Sequence, residues 1–464
     1  MTGLPDIGGL AGVPPRAWRE LAARLSSIGL NTAGVAPVLG LASRFQEDAR
    51  DPIRIWHLRQ RPDPAAVAMR LLMFGDAVTP EEAAAALGDD LLALLNNAGL
   101  LRATEGALRC ALRLAVVEDR YVFADDLAPG GDVVMGMRDT TVPLWRATTT
   151  ARLGRVLDLG CGSGPIALLL APAAERVVAV DINPRAVALA QVNAALNGEA
   201  NIEVRTGDLF APVAGETFDL VAAHPPYVAL PEGMAPTSHM FGGPRGDEIA
   251  ARLAAGLAAH LAPGGHAVIH ASWPLRAGET LATRVREAAG PALDLLALRL
   301  GTTDADDLAT FWGQHGGVPV GQVRDHYARL GIVAADAALC VLRRGGAAAW
   351  TATLEVPAGC VGFVTAERIA SLLQSCDLLH GDDAALLGAR LRLPEGTSLA
   401  TVESAAGARA MLALPPTTLR PAIEVAPELL RVIHAVNAAS SVLASGQPLA
   451  SVRQALAQGA LEPM

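Results

Sequence analysis

The stretch VLDLGCGSGPIALLLA, residues 156–171, constrains the chain more than any other. An apolar run of strand type stops at Gly160, turns through Gly162 and Gly164, and continues as an apolar helix started by Pro165. A strand that turns straight into a helix opens a unit in which the next strand lies parallel, because parallel neighbours need a crossover between them. The alternation continues to about residue 345. RVLDLG, RVVAVDI, IEVRTGD, FDLVAAH, HAVIHASW, DLLALRLG and AALCVLRRG read as seven strands, with helices between them. One helix is expected over 184–197, capped by Asn183, started by Pro184 and stopped by Gly198. The fold class is therefore α/β: a seven-stranded, doubly wound parallel sheet, expected over residues 126–346.

The flanks read differently. Residues 1–125 are helical, with a start signal at Thr79, Pro80 and Glu82 and a stop at Gly88. Three helices followed by an alternating strand pair over about 100–125 give the order of a winged helix. Its would-be recognition helix carries Asp89 and Asp90 and no cation, so it is poorly suited to a DNA groove. It is read as a packing, dimerisation or substrate-covering module. Residues 347–464 are looser and are expected to form a small C-terminal domain, α/β or of a second winged-helix-like kind.

A net charge of −10 disfavours a nucleic-acid partner, since backbone binding needs cations to replace counterions. Five scattered cysteines without a CxxC pair fit reduced thiols and suggest no metal site. The N-terminus lacks the pattern of a secretory signal, and no apolar run reaches membrane length. A cytoplasmic protein without membrane association is expected, and a homodimer is left open.

Within the α/β unit, glycines at 160 and 162 allow close approach of a ligand to the backbone. Asp158, in the strand before them, can accept from a bound amine or from loop amides. Asp181 ends the next strand, 21 residues beyond Gly160, where an acid can take both hydroxyls of a ribose. Asp208 ends the third strand and can accept from an adenine amino group, with Leu209 and Phe210 beside the ring. Pro165 breaks the dinucleotide spacing, so a nucleoside ligand without pyrophosphate fits better.

VLDLGCGSG, VDINPRAVALAQVNAALNG, TGDLF and FDLVAAHPPYV together resemble the class I S-adenosylmethionine-dependent methyltransferases over about residues 130–345. The branch is the one carrying Asn-Pro-Pro-Tyr, which includes release-factor glutamine, adenine-amino and some ribosomal RNA guanine methyltransferases. The overall layout resembles multidomain, mostly actinobacterial members. The resemblance implies a Rossmann-like core, S-adenosylmethionine as cofactor, and cofactor contacts from Asp158, Gly160, Cys161, Gly162, Asp181, Ile182, Asp208, Leu209 and His224. It also implies that residues 133–148 line the methionine end.

This chain reads His224-Pro225-Pro226-Tyr227 where the family has Asn-Pro-Pro-Tyr. In the family, the Asn amide and the following carbonyl hold a planar NH2 group while the tyrosine packs on its plane. An imidazole can also remove a proton, so His224 reads as a base or orienter, with a plain acceptor or an inert residue as alternatives. Pro225 and Pro226 stiffen the turn and leave acceptors facing the site. The following loop, with Met234, His239, Met240, Phe241 and hinge-like glycines, reads as a lid lining the substrate. These features favour O- or N-methylation of a small-molecule acceptor such as a specialised metabolite. A protein side chain (glutamine-type) or RNA is the alternative, and a cofactor-binding regulator is the non-enzymatic one.

Overall fold

A computed structural model describes residues 4–39, 51–126, 132–231, 234, 239–316, 318–346, 349–404, 407–420 and 422–464. Its centre is a sheet of eight strands: β1 Leu153–Leu159, β2 Ala174–Asp181, β3 Ile202–Thr206, β4 Phe218–Ala223, β5 Leu261–Arg276, β6 Asp294–Asp304, β7 Ile332–Arg343 and β8 Thr351–Glu355. The spatial order is β8-β6-β7-β5-β4-β1-β2-β3. From β3 to β5 all neighbours are parallel. The order reverses direction at β1, and the crevice beyond the carboxyl ends of β1 and β4 is where open α/β sheets bind ligands.

Two features depart from the expected seven parallel strands. β7 runs antiparallel to both β5 and β6, entering between them after the helices Ala305–Gly316 and Val320–Leu330. β8 is the extra strand and pairs parallel with β6. It lies beyond the boundary expected at residue 346, so the sheet takes in part of the C-terminal region. An edge at β6 would otherwise present unpaired amides, and the short, mostly exposed β8 covers it.

The strands alternate faces. Val156, Val177, Ala179, Leu220 and Val268 pack on one side; Leu157, Val178, Val180, Val221 and Ile269 pack on the other. The second face is covered by helices Glu248–His260 and Leu281–Ala289. The first is covered in part by Val142–Thr148 and by Ala366–His380 from the C-terminal region, whose Ile369, Leu372 and Cys376 share its core.

Among its described residues the N-terminal region holds a 3-10 turn at Gly8–Gly12 and six α-helices, one running into a π turn at Met69–Met73, followed by two hairpins. The single strand pair expected there is four strands: Leu101–Thr104 with Ala107–Cys110, and Arg113–Val117 with Arg120–Ala124. Glu105 and Gly106 supply positive φ at the first tight turn, and Glu118 and Asp119 at the second. The capping box at Thr79 and Glu82 is present. The region packs on helix Pro184–Asn197 of the central unit, sharing a core with Leu189 and Leu196. Asn193, fully buried on that helix, accepts from Phe123 N at 2.8 Å and donates to Phe123 O at 2.8 Å and to Ser163 O at 2.9 Å. One amide thus joins the second hairpin to the glycine loop.

Candidate active site

The glycine loop leaves β1 at Gly160, with φ values of 78° at Gly160 and 55° at Gly162 that favour glycine. A Cβ added at Gly160 would meet nothing within 4 Å, while one at Gly162 would come 3.3 Å from Met135 O. The loop therefore presents open backbone at Gly160 and is roofed at Gly162 by the segment leading into the core. Ser163 Oγ donates to Met135 O at 2.9 Å, and Asn183 Nδ2 to Asp132 O at 3.4 Å, fixing that roof.

Asp181 receives Gly162 N at 2.8 Å and Asn183 N at 2.9 Å, and burial raises its pKa. Each oxygen keeps further lone pairs, so ribose hydroxyls would find acceptors there and would favour the charged carboxylate. Ile182 beside it is 67% exposed, an apolar surface of the kind a nucleobase covers. Asp158 is buried and accepts from Ala167 N at 2.9 Å. Burial, assisted by the charge of Asp181, lifts its pKa to about 7. Cys161 is a buried core thiol whose pKa is raised well above its ordinary value by burial. S-Adenosylmethionine fits this donor set: open backbone, an acid with free lone pairs, and an exposed apolar neighbour.

The third strand end is arranged differently from the expectation. Asp208 is exposed and bound by Arg252 at 2.6 Å. Leu209 adopts a left-handed φ of 48°, and the chain then turns Phe210 into the core. There it stacks on His260, ring centroids 4.3 Å apart, instead of bordering a ligand ring.

At the end of β4, His224 stacks on Tyr227 with centroids 5.7 Å apart, and lies 4.8 Å from His270 on β5. Its Nε2 is shielded from solvent and has no hydrogen-bond partner among the described residues. Burial, then the neighbouring His270, lowers the His224 pKa to about 3. His270 is itself lowered to about 4 by burial, with the backbone of Thr140 acting the other way. His224 is a neutral imidazole at physiological pH and a weak base. Burial raises the Tyr227 pKa, with Arg138 opposing, so the phenol stays protonated.

The loop after the prolines is packed. Val228 N donates to Met240 O at 2.9 Å, Phe241 bridges Val228, and Gly242 N reaches Val228 O. A Cβ on Gly242 would fall 1.9 Å from Gly246 O and 2.7 Å from Pro226 O, and one on Gly246 would strike Ala229. Glu248 accepts from the amides of Arg245 and Gly246. The glycines expected as hinges allow close chain approach. Tyr227, Met240, Phe241 and Trp312 pack on one core that includes Val228 and Leu230, and the Trp312 ring meets Tyr227 edge-on at 6.3 Å. His239 is half-buried beside Val133 and Arg138, and burial lowers its pKa. Met234 is exposed, and residues 232–233 and 235–238 of the expected lid lie outside the described residues.

Three site residues are not evident from the linear pattern. His270 sits on a strand whose neighbour is known only from the sheet order. Arg138 lies in the segment over the site, and Trp312 reaches Tyr227 from a helix more than eighty residues away. Among the described residues no group of three metal-ligating side chains comes together, and no helix is long and apolar enough to cross a membrane.

Residues 139–290 match the family model for the methyltransferase small domain. The chain is 43% identical over 122 residues to a release factor glutamine methyltransferase of Koribacter versatilis, covering 24% of this chain and 43% of that protein. It is 35% identical over 241 residues to the protein of the same name from Cereibacter sphaeroides, covering 49% of this chain and 80% of that protein. The chain spans about half the length of several of the curated relatives it matches. Among solved structures, ribosomal protein L11 methylase of Lactobacillus delbrueckii subsp. bulgaricus aligns at 27% identity over 30% of this chain and 62% of that one, with a TM-score of 0.23.

Proposed function

Because this chain belongs to the class I S-adenosylmethionine-dependent methyltransferases, we propose that it transfers the cofactor's methyl group to the amide nitrogen of a protein side chain of the glutamine type. The observation that carries this reading is His224: a neutral imidazole of low basicity with Nε2 unpartnered at the strand end, beside Tyr227. A hydroxyl acceptor would need a proton removed before or during attack, and an imidazole titrating near 3 serves poorly as that base at neutral pH. The small-molecule acceptor favoured by the linear sequence rested in part on His224 as a base, and that part of its support is removed. The names of the relatives point the same way.

S-Adenosylmethionine supplies an electrophilic methyl group on a sulfonium. The protein's part is positioning. Asp181 would take the ribose hydroxyls, and the open backbone at Gly160 would let the methionine portion approach. Nε2 of His224 and the carbonyl oxygens of the turn accept from the acceptor's NH2, aiming the nitrogen lone pair at the methyl carbon. Tyr227, which meets Trp312 edge-on and shares a core with Met240 and Phe241, lies against the amide plane. Pro225 and Pro226 contribute acceptors without competing N–H donors. Amide nitrogen becomes strongly acidic once methylated, so its proton leaves without a strong base. Placing two reacting atoms in line can supply several kcal/mol by itself.

The test is transfer of tritiated methyl from S-adenosylmethionine into a bacterial extract, followed by fractionation. Label is expected in protein and, after acid hydrolysis, as volatile methylamine, the product of an N-methyl amide. Label recovered in RNA, in small molecules, or as methanol would sink the proposal.

A further inference from the structure

A cavity of about 180 Å³ lies between the outer edge of the sheet and the C-terminal helices. Leu296 of β6 and Leu354 of β8 form one wall, and Leu372, Leu379, Leu456 and Leu461 form the other. Its volume far exceeds the ~10–15 Å³ that a single water needs. Two guanidinium groups, those of Arg368 and Arg420, line this largely apolar space.

Neither cation is fully answered. The Nε of each is shielded from solvent and has no hydrogen-bond partner among the described residues. Arg368 donates through its terminal nitrogen to Glu462 at 2.7 Å, but Glu462 is shared with Arg392 at 3.2 Å. Arg420 forms no ion pair among the described residues; burial lowers its pKa, and the charge of Arg368 lowers it further. Two guanidinium groups therefore share one carboxylate, and the third, Arg420, feels the charge of Arg368 with no carboxylate paired to it among the described residues. Gly459 is what admits Arg420 here: a Cβ at that position would come 2.3 Å from the arginine Cδ. A half-buried guanidinium with a shielded, unpartnered Nε is costly, and the planar fork of arginine matches a carboxylate or phosphate oxygen pair.

We propose that this cavity binds a small oxyanion, the carboxylate or phosphate head of a metabolite, with the leucine walls taking an apolar body. β8 and β6 form the sheet edge opposite β3, so the site is separate from the glycine loop and from the His224 turn.

The experiment is thermal unfolding of the full chain in Hepes with increasing sodium phosphate or sodium butyrate, each against sodium chloride at equal ionic strength. A saturable rise in midpoint with at least one oxyanion, beyond chloride, is expected. The rise should shift to at least tenfold higher concentration in Arg420→Gln, while S-adenosylhomocysteine binding stays within twofold of the parent. Without oxyanion, Arg420→Gln should unfold at or above the parent midpoint, because an unanswered cation has gone. Arg420→Leu repeats the comparison with the cavity filled by an apolar stem. No rise beyond chloride with either oxyanion, the same rise in both variants, or a tenfold loss of S-adenosylhomocysteine affinity would each overturn the site. Phosphate and butyrate responses distinguish the two head groups.

Discussion

The imidazole of His224, at the end of β4, lies 4.8 Å from that of His270 on β5, with the ring planes 41° apart. Desolvation is the main force keeping both imidazoles neutral, and the neighbouring His270 lowers His224 further. His224 is thereby kept as a hydrogen-bonding group. His224→Asn, which restores an amide acceptor, should keep methyl transfer within about tenfold of the parent, and His224→Ala should lose about 10²-fold, as misplacement of a reacting group does. Initial rates of tritium transfer decide it. An Asn variant as impaired as the Ala variant would mean that the imidazole's own proton chemistry is required.

The histidine pair also sets a pH dependence of stability. An unfolded imidazole titrates near 6.5, and folded His270 near 4. As pH falls through that window the unfolded chain takes up a proton that the fold refuses, so stability is withdrawn; above it there is no difference. Asp158, held at about 7, acts oppositely, because the folded carboxyl is protonated first as pH falls. Only a paired comparison isolates the histidine. Relative to the parent, His270→Gln should gain about 2 kcal/mol between pH 8 and pH 5. Urea unfolding of both proteins at the two pH values measures it, and an unchanged gap would exclude a buried neutral His270.

Asp181 ties the glycine loop to the second strand end through Gly162 N and Asn183 N. Asp181→Asn keeps the shape, removes the charge and turns one acceptor into a donor. Charge-assisted bonds are worth about 1.5–3 kcal/mol each. S-Adenosylhomocysteine should bind about 10- to 100-fold more weakly by calorimetry, with the fold unchanged by circular dichroism. Equal affinity would remove Asp181 from the cofactor site.

Gly242 tests whether the loop after the prolines is a hinge or a packed wall. Its added Cβ would collide with the carbonyls of Gly246 and Pro226. Gly242→Ala should lower the unfolding midpoint and slow methyl transfer by more than tenfold, because the Pro225-Pro226 turn must shift. A variant with normal stability and altered kinetics alone would favour the hinge.

Local chemistry is what the linear sequence shows well. The glycine turn after β1 and the helix from Pro184 to Asn197 are legible because their glycines, cap and proline act within a few residues of the chain. The His270 partnership is invisible at that range: a histidine in HAVIHASW reads as a strand residue until sheet order sets β5 beside β4. Phe210 misleads because the left-handed turn at Leu209 and the helix carrying His260 decide which way its ring points. Thr351–Glu355 looks like the start of a separate unit because its role depends on an open edge at β6, more than fifty residues earlier in the chain.

Asn193 offers the sharpest test of coupling between the N-terminal region and the site. Its amide satisfies both backbone groups of Phe123 and the carbonyl of Ser163 in the glycine loop. Asn193→Ala leaves all three buried groups without their partner, at about 1–3 kcal/mol for each group left unsatisfied, reduced where local shifts find substitutes. A loss of about 2–4 kcal/mol in urea unfolding is expected. Because Ser163 also holds Met135 O, the segment over the glycine loop should loosen as well. S-Adenosylhomocysteine affinity should then fall several-fold at a temperature where the variant is still folded. Asn193→Asp retains one acceptor for Phe123 N and loses both donations, so its affinity should match the alanine variant if the link to Ser163 is what couples the two regions. Unchanged affinity in both variants would confine Asn193 to stability.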